Sequence, residues 1–213
     1  MDKEWVKKIE LMLNTIDVLC EMDNIPIEHR ESLLNSIKFR RELSKESDRG
    51  CALLAAAHID SLLERLLKKV LVGNNNHFKL LFSSNGPLGT FSGKVSLSYS
   101  LGLISFDAMN DIHTIRRIRN EFGHSPHIIS FLDEKIKTQC DKLKYNVLDD
   151  PKSAQSKFIN TVSGIAGFIE IEIIEKSQFK EAIGLDLQKR KKDFDDFISE
   201  VEKKAKELAK KQV

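Results

Sequence analysis

Residues 47–72 read SDRGCALLAAAHIDSLLERLLKKVLV and predict the central helix of an all-helical protein. Alanine, leucine and straight-chain charged residues favour a helix, and the small side chains of residues 51–57 allow a second helix to approach closely. In the second half, leucines recur at three- and four-residue steps opposite charged residues, which is typical of a helix with one buried face. Ser44 or Ser47 offers an N-cap. The glycine and asparagines of residues 73–76 end the helix.

The same spacing of apolar residues predicts further helices on both sides of this segment. They cover about residues 4–21, 26–41, 90–104, 105–123, 131–143 and 154–177. Residues 77–82 are predicted to form a short apolar turn. Residues 83–89 form the most turn-rich stretch and are expected to be an ordered loop. Residues 168–173 alternate like a strand, but no partner strand is indicated elsewhere, so a helix is predicted there as well.

The composition divides the predicted all-α helical bundle into three parts. Residues 1–41 form N-terminal helices, residues 42–183 form the core bundle, and residues 184–213 form a charged C-terminal helix. Apolar residues from Leu187 to Leu208 follow a seven-residue rhythm, which makes the last helix a candidate coiled coil. Its lysine-rich stretches would make it an RNA or DNA arm, whereas the interspersed acidic residues favour a solvated helix.

Charge and composition exclude several classes of function. The formal net charge of +2 provides no overall field that attracts DNA or an acidic membrane. Nothing approaches the roughly 18 apolar residues of a membrane span, and the N-terminus lacks a signal-peptide pattern, so we expect a cytoplasmic protein. Neither zinc-site spacing nor a phosphate-binding loop is present, and no cofactor or metal is expected.

The cysteines and one histidine are predicted to be packing residues. Cys20, Cys51 and Cys140 are odd in number, widely spaced and surrounded by apolar residues, which is typical of reduced core thiols. His58 follows three alanines and is interpreted as a packed histidine rather than a ligand.

The end of the helix that begins after Ser105 carries the residues that point to chemistry. Arg119 and His124 are five residues apart, and Asn120 follows the arginine. Because histidine has an unperturbed pKa of about 6.5, His124 is the candidate general base or acid of a metal-independent RNA cleavage. Arg119 is the candidate for stabilising the extra charge on phosphorus, because its guanidinium presents a fixed fork of donors. Asn120 would hold the histidine or the phosphate.

Helix geometry limits this hypothesis. Five residues correspond to about 140° around an α-helix, so Arg119 and His124 do not share a face of a straight helix. The direction around the helix axis changes by only about 80° from Arg116 through Asn120 to His124. Arg116 is therefore a phosphate-binding candidate together with Arg119. A turn at Gly123, or a second copy in a homodimer, would bring the arginine and the histidine to one phosphate.

A purely structural interpretation of the same segment is also coherent. Gly123 and Pro126 would end the helix, and Phe122 would be buried. The arginines and the histidine would then lie favourably at the negative end of the helix dipole.

Four segments together resemble the mannitol operon repressor family. They are residues 47–52 (SDRGCA), 86–95 (GPLGTFSGKV), 99–104 (YSLGLI) and 118–124 (IRNEFGH). The resemblance covers about residues 42–128, and the Gly-Pro-Leu-Gly block with the Leu-Gly-Leu-Ile turn is its most specific part. It implies an all-helical protein linked to transcriptional regulation without a recognised helix-turn-helix, so sequence-specific DNA reading is not expected.

The spacing of Arg119 and His124, with Asn120 after the arginine, is also similar to the motif of the HEPN superfamily. Its members are helical bundles, often dimers, and in many cases metal-independent ribonucleases. The resemblance implies that Arg119, Asn120 and His124 are the catalytic residues if the protein is an enzyme.

The leading hypothesis is therefore a homodimeric regulator of the mannitol operon repressor type that acts through protein or RNA contacts. The alternative is a HEPN-like metal-independent ribonuclease, such as a toxin or a phage-defence component. A third hypothesis is an interaction scaffold whose C-terminal heptads pair with another helix.

Overall fold

The computed structural model describes residues 26–145, 153–184 and 186–211, which contain eight helices and no strand. This confirms the predicted all-α class. The helices are α1 (Ile27–Leu43), α2 (Asp48–Val70), α3 (Asn75–Phe82), α4 (Phe91–Ser100), α5 (Phe106–His124), α6 (Glu134–Asp141), α7 (Ala154–Glu175) and α8 (Leu187–Lys211). The helix predicted at residues 4–21 lies outside the described residues.

Helix α2 is the centre of the bundle, as its sequence predicts. It packs against α7, α5, α4 and α1. Its inward side chains are completely buried and include small residues at the start and leucines further along: Cys51, Ala52, Ala55, Ile59, Leu63, Leu66 and Leu67. The alanines allow neighbouring helices to approach closely, and the leucines supply most of the apolar area that α2 removes from water.

Hydroxyl side chains fix where the central helices begin. Ser47, Thr90 and Ser105 each accept a hydrogen bond from the backbone N–H three residues later. Each bond satisfies a donor that the first turn of a helix leaves free. Ser47 rather than Ser44 therefore caps α2.

Three predicted boundaries were wrong. Residues 77–82 belong to the helix α3, because Asn74 caps it through the N–H of His77 instead of continuing a turn. Helix α2 ends at Val70, before the asparagines. Helix α6 starts only at Glu134, because Ser130 and Asp133 bond to each other in the preceding turn.

Residues 168–173 are helical, as preferred in the sequence analysis, and belong to α7. This helix packs against α2, α1 and α6. Because neighbours cover several of its sides, Phe168, Ile169 and Ile173 are all at least partly buried. Ile171, which completes the alternation, is 41% exposed, because residues two positions apart lie on different sides of a helix.

Two glycines shape the loop between α3 and α4, which is ordered as predicted. A Cβ at Gly86 would meet the carbonyl oxygen of Leu80, and a Cβ at Gly89 would meet that of Ser83. The N–H of Leu88 donates to Leu81 O at 3.0 Å and closes the loop. Only glycine fits where two backbone segments approach this closely.

Cys51 and Cys140 are free and buried, as predicted, and burial raises the pKa of each thiol to about 12. Cys20 lies outside the described residues. His58 is also a packed residue, since its ring stacks on Phe39 with a centroid distance of 3.7 Å.

The chain divides into two compact units, one up to Phe179 and one from Lys180 onwards. In the first, α1 packs on α7, and Arg40 Nη2 donates to Asn160 Oδ1 at 2.5 Å. In the second, α8 exposes a row of apolar side chains: Leu187, Phe194, Phe197, Ile198 and Val201. The coiled coil and the three-part domain division stay predictions. None of the described helices is long and apolar enough to span a bilayer.

Candidate functional site

Helix α5 holds the candidate residues on the side that faces away from the core. Its buried side is built from apolar residues at helical spacing: Ile112, Ile115, Ile118 and Phe122 are completely buried. The ring of Phe122 lies 5.1 Å from that of Phe131, which packs in turn on Phe158. These contacts fix the rotation of α5 and turn its basic residues outward.

The expected turn at Gly123 is wrong, because α5 continues to His124. The N–H of Ser125 still donates to Glu121 O at 3.0 Å, so the last turn is intact, and Pro126 follows it. A Cβ at Gly123 would meet only Leu53, at an ordinary 3.7 Å. Glycine costs about 1 kcal/mol inside a helix, and the packing of the neighbouring Phe122 outweighs that cost.

The structure therefore does not bring Arg119 and His124 together within one chain, since about 140° of helix rotation separates them. Both side chains are exposed. Arg119 Nη1 donates to Asn120 Oδ1 at 3.0 Å, which joins two of the three motif residues. Arg116 is half-buried, and its Nε has no hydrogen-bond partner in the described part of the chain.

Arg117 is a further candidate that was not predicted from the sequence. Arg117, Asn120, Glu121 and His124 follow the i, i+3, i+4, i+7 spacing of a single helix strip. Arg117 Nη2 donates to Thr114 Oγ1 at 2.8 Å, and the residue has no carboxylate partner in the described part of the chain. The i, i+7 spacing of Arg117 and His124 was the signal that could have identified it.

A groove of about 710 Å³ runs between this strip and α6. Most of its lining comes from residues with polar or charged ends: Arg117, Asn120, Glu121, Lys135, Gln139 and Lys142. Lys135 Nζ pairs with Glu121 Oε2 across the groove at 2.7 Å. The groove was not predicted, because it depends on where α6 packs.

Asp111 joins α5 to the segment after α6. It is buried and accepts the backbone N–H of Lys144 at 2.9 Å and also that of Tyr145. Burial raises the pKa of Asp111, while the two backbone hydrogen bonds oppose that shift. Asp111 is therefore a structural residue.

The loop that follows His124 is fixed at both ends by the first turn of α2. Arg49 Nη2 donates to Ser125 O at 2.9 Å, and Asp48 Oδ2 accepts the N–H of Phe131 at 2.8 Å. Between these contacts the side chain of Ile128 is fully exposed. The sequence block of residues 47–50 thus positions the loop of residues 125–131.

The Gly-Pro-Leu-Gly block has a structural role as well. It leads into α4, where Lys94 is only 4% exposed. Lys94 Nζ contacts Asp60 Oδ2 at 2.9 Å and Glu64 Oε2 at 3.0 Å, both on α2. Burial tends to lower the pKa of Lys94, but the hydrogen bonds from both carboxylates outweigh it and raise the pKa.

Metal chemistry finds no support in the described ranges, because no group of three or more histidine, cysteine or acidic side chains lies close enough to hold an ion.

Comparisons with known proteins agree with this architecture. The family described as MtlR, mannitol repressor, matches residues 44–162, more than half of the chain. One chain of the X-ray structure of the MtlR–HPr complex from Escherichia coli superposes with a TM-score of 0.53. That superposition covers 62% of this chain and 99% of the other at 17% sequence identity, so it shows a shared fold alone. No curated protein sequence matches significantly.

The matched residues include the turn that fixes the loop, the glycine block with Lys94, and all of α5. The chain therefore belongs to the mannitol repressor family and is a regulatory protein of that type.

Proposed function

We propose that this protein regulates by binding a protein partner through the end of α5 and the loop of residues 125–131. The single observation that carries the proposal is the fixed loop with an outward apolar side chain. Ile128 is 101% exposed, although both ends of its loop are hydrogen-bonded to α2. A rigid loop with an apolar side chain loses little conformational freedom on binding.

The surroundings of Ile128 support a protein interface. Leu132 is 76% exposed just beyond the loop, and the exposed Arg119 and His124 precede it. Arginine is enriched at protein interfaces and among the residues that contribute most to binding. The charges would favour a partner with an acidic surface.

The structural neighbour supplies a partner to test first, because its structure is of a complex with HPr. Binding between the full chain and the HPr of its source organism is measured by isothermal titration calorimetry. We expect Ile128→Asp to weaken binding at least tenfold, which corresponds to about 1.4 kcal/mol. Leu80→Asp is the matched control, since Leu80 is 73% exposed on α3, away from the loop.

One outcome would contradict the proposed interface, and another would exclude HPr. HPr binding that Ile128→Asp leaves unchanged would place the interface elsewhere. A complete lack of binding by the wild-type chain, with normal unfolding behaviour, would exclude HPr as the partner.

The ribonuclease alternative stays a prediction, and the hydrogen bond between Arg119 and Asn120 is the observation that favours it. Because Arg119 and His124 point to different sides of α5, cleavage requires a second copy to supply the missing group. The alternative therefore stands or falls with a homodimer that joins two α5 ends. RNA binding without cleavage would need the same basic helix end.

Incubation with RNA in EDTA tests this alternative. His124→Ala and Arg119→Ala should each abolish cleavage, and a mixture of the two variants should restore part of it if the active site spans two chains. Equal cleavage by wild type and both variants would identify a contaminating nuclease.

A further inference from the structure

The groove between α5 and α6 has fixed ends and unneutralised positive charge between them. Lys135 pairs with Glu121 at one end, and the backbone of Lys144 bonds to Asp111 at the other. These two contacts show that the helices run in opposite directions. Arg117 and Lys142 both line the groove between them.

Both carboxylates that line the groove have a lysine within ion-pair distance, closely at Glu121 and loosely at Glu134. Glu121 contacts Lys135 at 2.7 Å, and Glu134 contacts Lys137 at 3.9 Å. Neither Arg117 nor Lys142 has a carboxylate within ion-pair distance in the described ranges. Two cations that share a concave surface without counter-charges favour the binding of an anion. Arginine can bind a phosphate through two parallel hydrogen bonds.

A buried acceptor in the same groove adds a second requirement. Gln139 lines the groove, and its Oε1 is buried without a hydrogen-bond partner among the described residues. A buried acceptor left unsatisfied costs about 1–3 kcal/mol, and rotation of the half-buried Gln139 amide towards a ligand hydroxyl in the groove would remove that cost. Asn120 and Thr138 provide further polar atoms along the groove.

We propose that this groove binds a small phosphate monoester that carries free hydroxyl groups. Arg117 and Lys142 contact the phosphate, and Gln139 Oε1 accepts a hydrogen bond from a hydroxyl. The groove, of about 710 Å³, is open to solvent, so it would hold the ester through its charged and polar groups rather than enclose it. The inference goes beyond the proposed protein contact, because the ligand is bound by the isolated protein.

Calorimetric titration of the full chain with mannitol 1-phosphate, a hexitol phosphate, tests the site without any partner. Arg117→Gln and Lys142→Gln should each weaken binding at least tenfold. Lys137→Gln is the matched control, because Lys137 lies on the same helix but does not line the groove. Gln139→Leu should weaken binding of the ester while leaving the affinity for inorganic phosphate unchanged.

Comparison of three probes separates the two parts of the site. The ester should bind more tightly than inorganic phosphate, and unphosphorylated mannitol should bind least. Equal binding of mannitol and its phosphate, or wild-type affinity in both charge variants, would overturn the proposal. So would the absence of ester binding by a folded wild-type chain. Circular dichroism melting checks that each variant is folded, and Arg117→Lys provides a variant that retains the charge.

Discussion

Replacement of Lys94 by methionine tests whether the pairing of α4 with α2 stabilises the bundle. Methionine keeps most of the aliphatic length but removes the ammonium group from Asp60 and Glu64. Asp60 Oδ1 already lacks a partner in the described part of the chain, so the change leaves both oxygens of that carboxylate unsatisfied. We therefore expect Lys94→Met to lower the free energy of unfolding.

The size of the effect follows from the burial of the three side chains. Removing one partner of a fully buried pair costs about 3–5 kcal/mol, whereas an exposed pair contributes about 0–1 kcal/mol. The Lys94 side chain is 6% exposed, but Asp60 is 33% and Glu64 29% exposed. Because Glu64 also keeps Lys68 as a partner at 2.6 Å, we expect a loss of about 2 kcal/mol.

Urea unfolding followed by circular dichroism measures this loss. In a thermal melt the same change should lower the Tm by about 4–8 °C for a chain of this size. Lys68→Met is the matched control, since Lys68 binds the same Glu64 but is 41% exposed. It should cost no more than about 0.5 kcal/mol. Equal losses in the two variants would refute the link between burial and stability.

The same pairing predicts how stability depends on pH. Burial acts to raise the pKa of Glu64, but hydrogen bonds from Lys68 and Lys94 hold it below its ordinary 4.5. The pKa of Lys94 lies above its ordinary 10.5. Lys94 therefore stabilises the fold at pH values below that pKa, and this stabilisation is lost as the pH rises through the raised value. The stabilisation by Glu64 is lost as the pH falls through its lowered pKa. The penalty of Lys94→Met should be largest between these limits.

Three further predictions concern two glycines, His58 and the buried cysteines. Gly86→Ala should destabilise the fold by about 1–3 kcal/mol, because its Cβ would meet a backbone carbonyl oxygen. Gly167→Ala, in open space on α7, should stabilise it by about 0.5–1 kcal/mol. Urea unfolding in which both substitutions change the free energy of unfolding in the same direction would contradict this. Burial lowers the pKa of His58, so the folded state binds its proton less readily and stability should fall as the pH drops through about 6.5. His58→Phe should flatten that slope in unfolding measurements at several pH values, and an unchanged slope would assign it to other groups. Cys51 and Cys140 should resist iodoacetamide in the native state and react after denaturation, because burial raises the pKa of each thiol to about 12. Peptide mapping that finds either thiol alkylated in the native protein would disprove their burial.

The helices of the core could be predicted from the sequence because their signals are local. Apolar spacing in residues 47–72 and the caps Ser47 and Ser105 depend on neighbours within a turn or two. Asn74 was misinterpreted because a run of asparagines is typical of a turn and, equally, of a helix cap. Gly123 was misinterpreted because packing outweighed a local stop signal.

The candidate site depended on contacts that no local pattern contains. Lys94 lies 34 and 30 residues from its two partners, and the groove exists only once α6 packs beside α5. Asp48 belongs to one of the four segments that resemble the mannitol operon repressor family. Its structural role is to accept the N–H of Phe131. Arg117 is a candidate ligand-binding residue only because α6 packs beside it and forms the groove.

The two-point attachment of the loop after α5 separates recognition from folding. Arg49 and Asp48 hold its ends through backbone atoms of Ser125 and Phe131, and Ile129 packs partly against the core, whereas residues 126–128 are exposed. Residues 126–128 can therefore vary within the limits of loop geometry. A protein built in this way can acquire a new partner by substitution at these positions while its bundle stays intact.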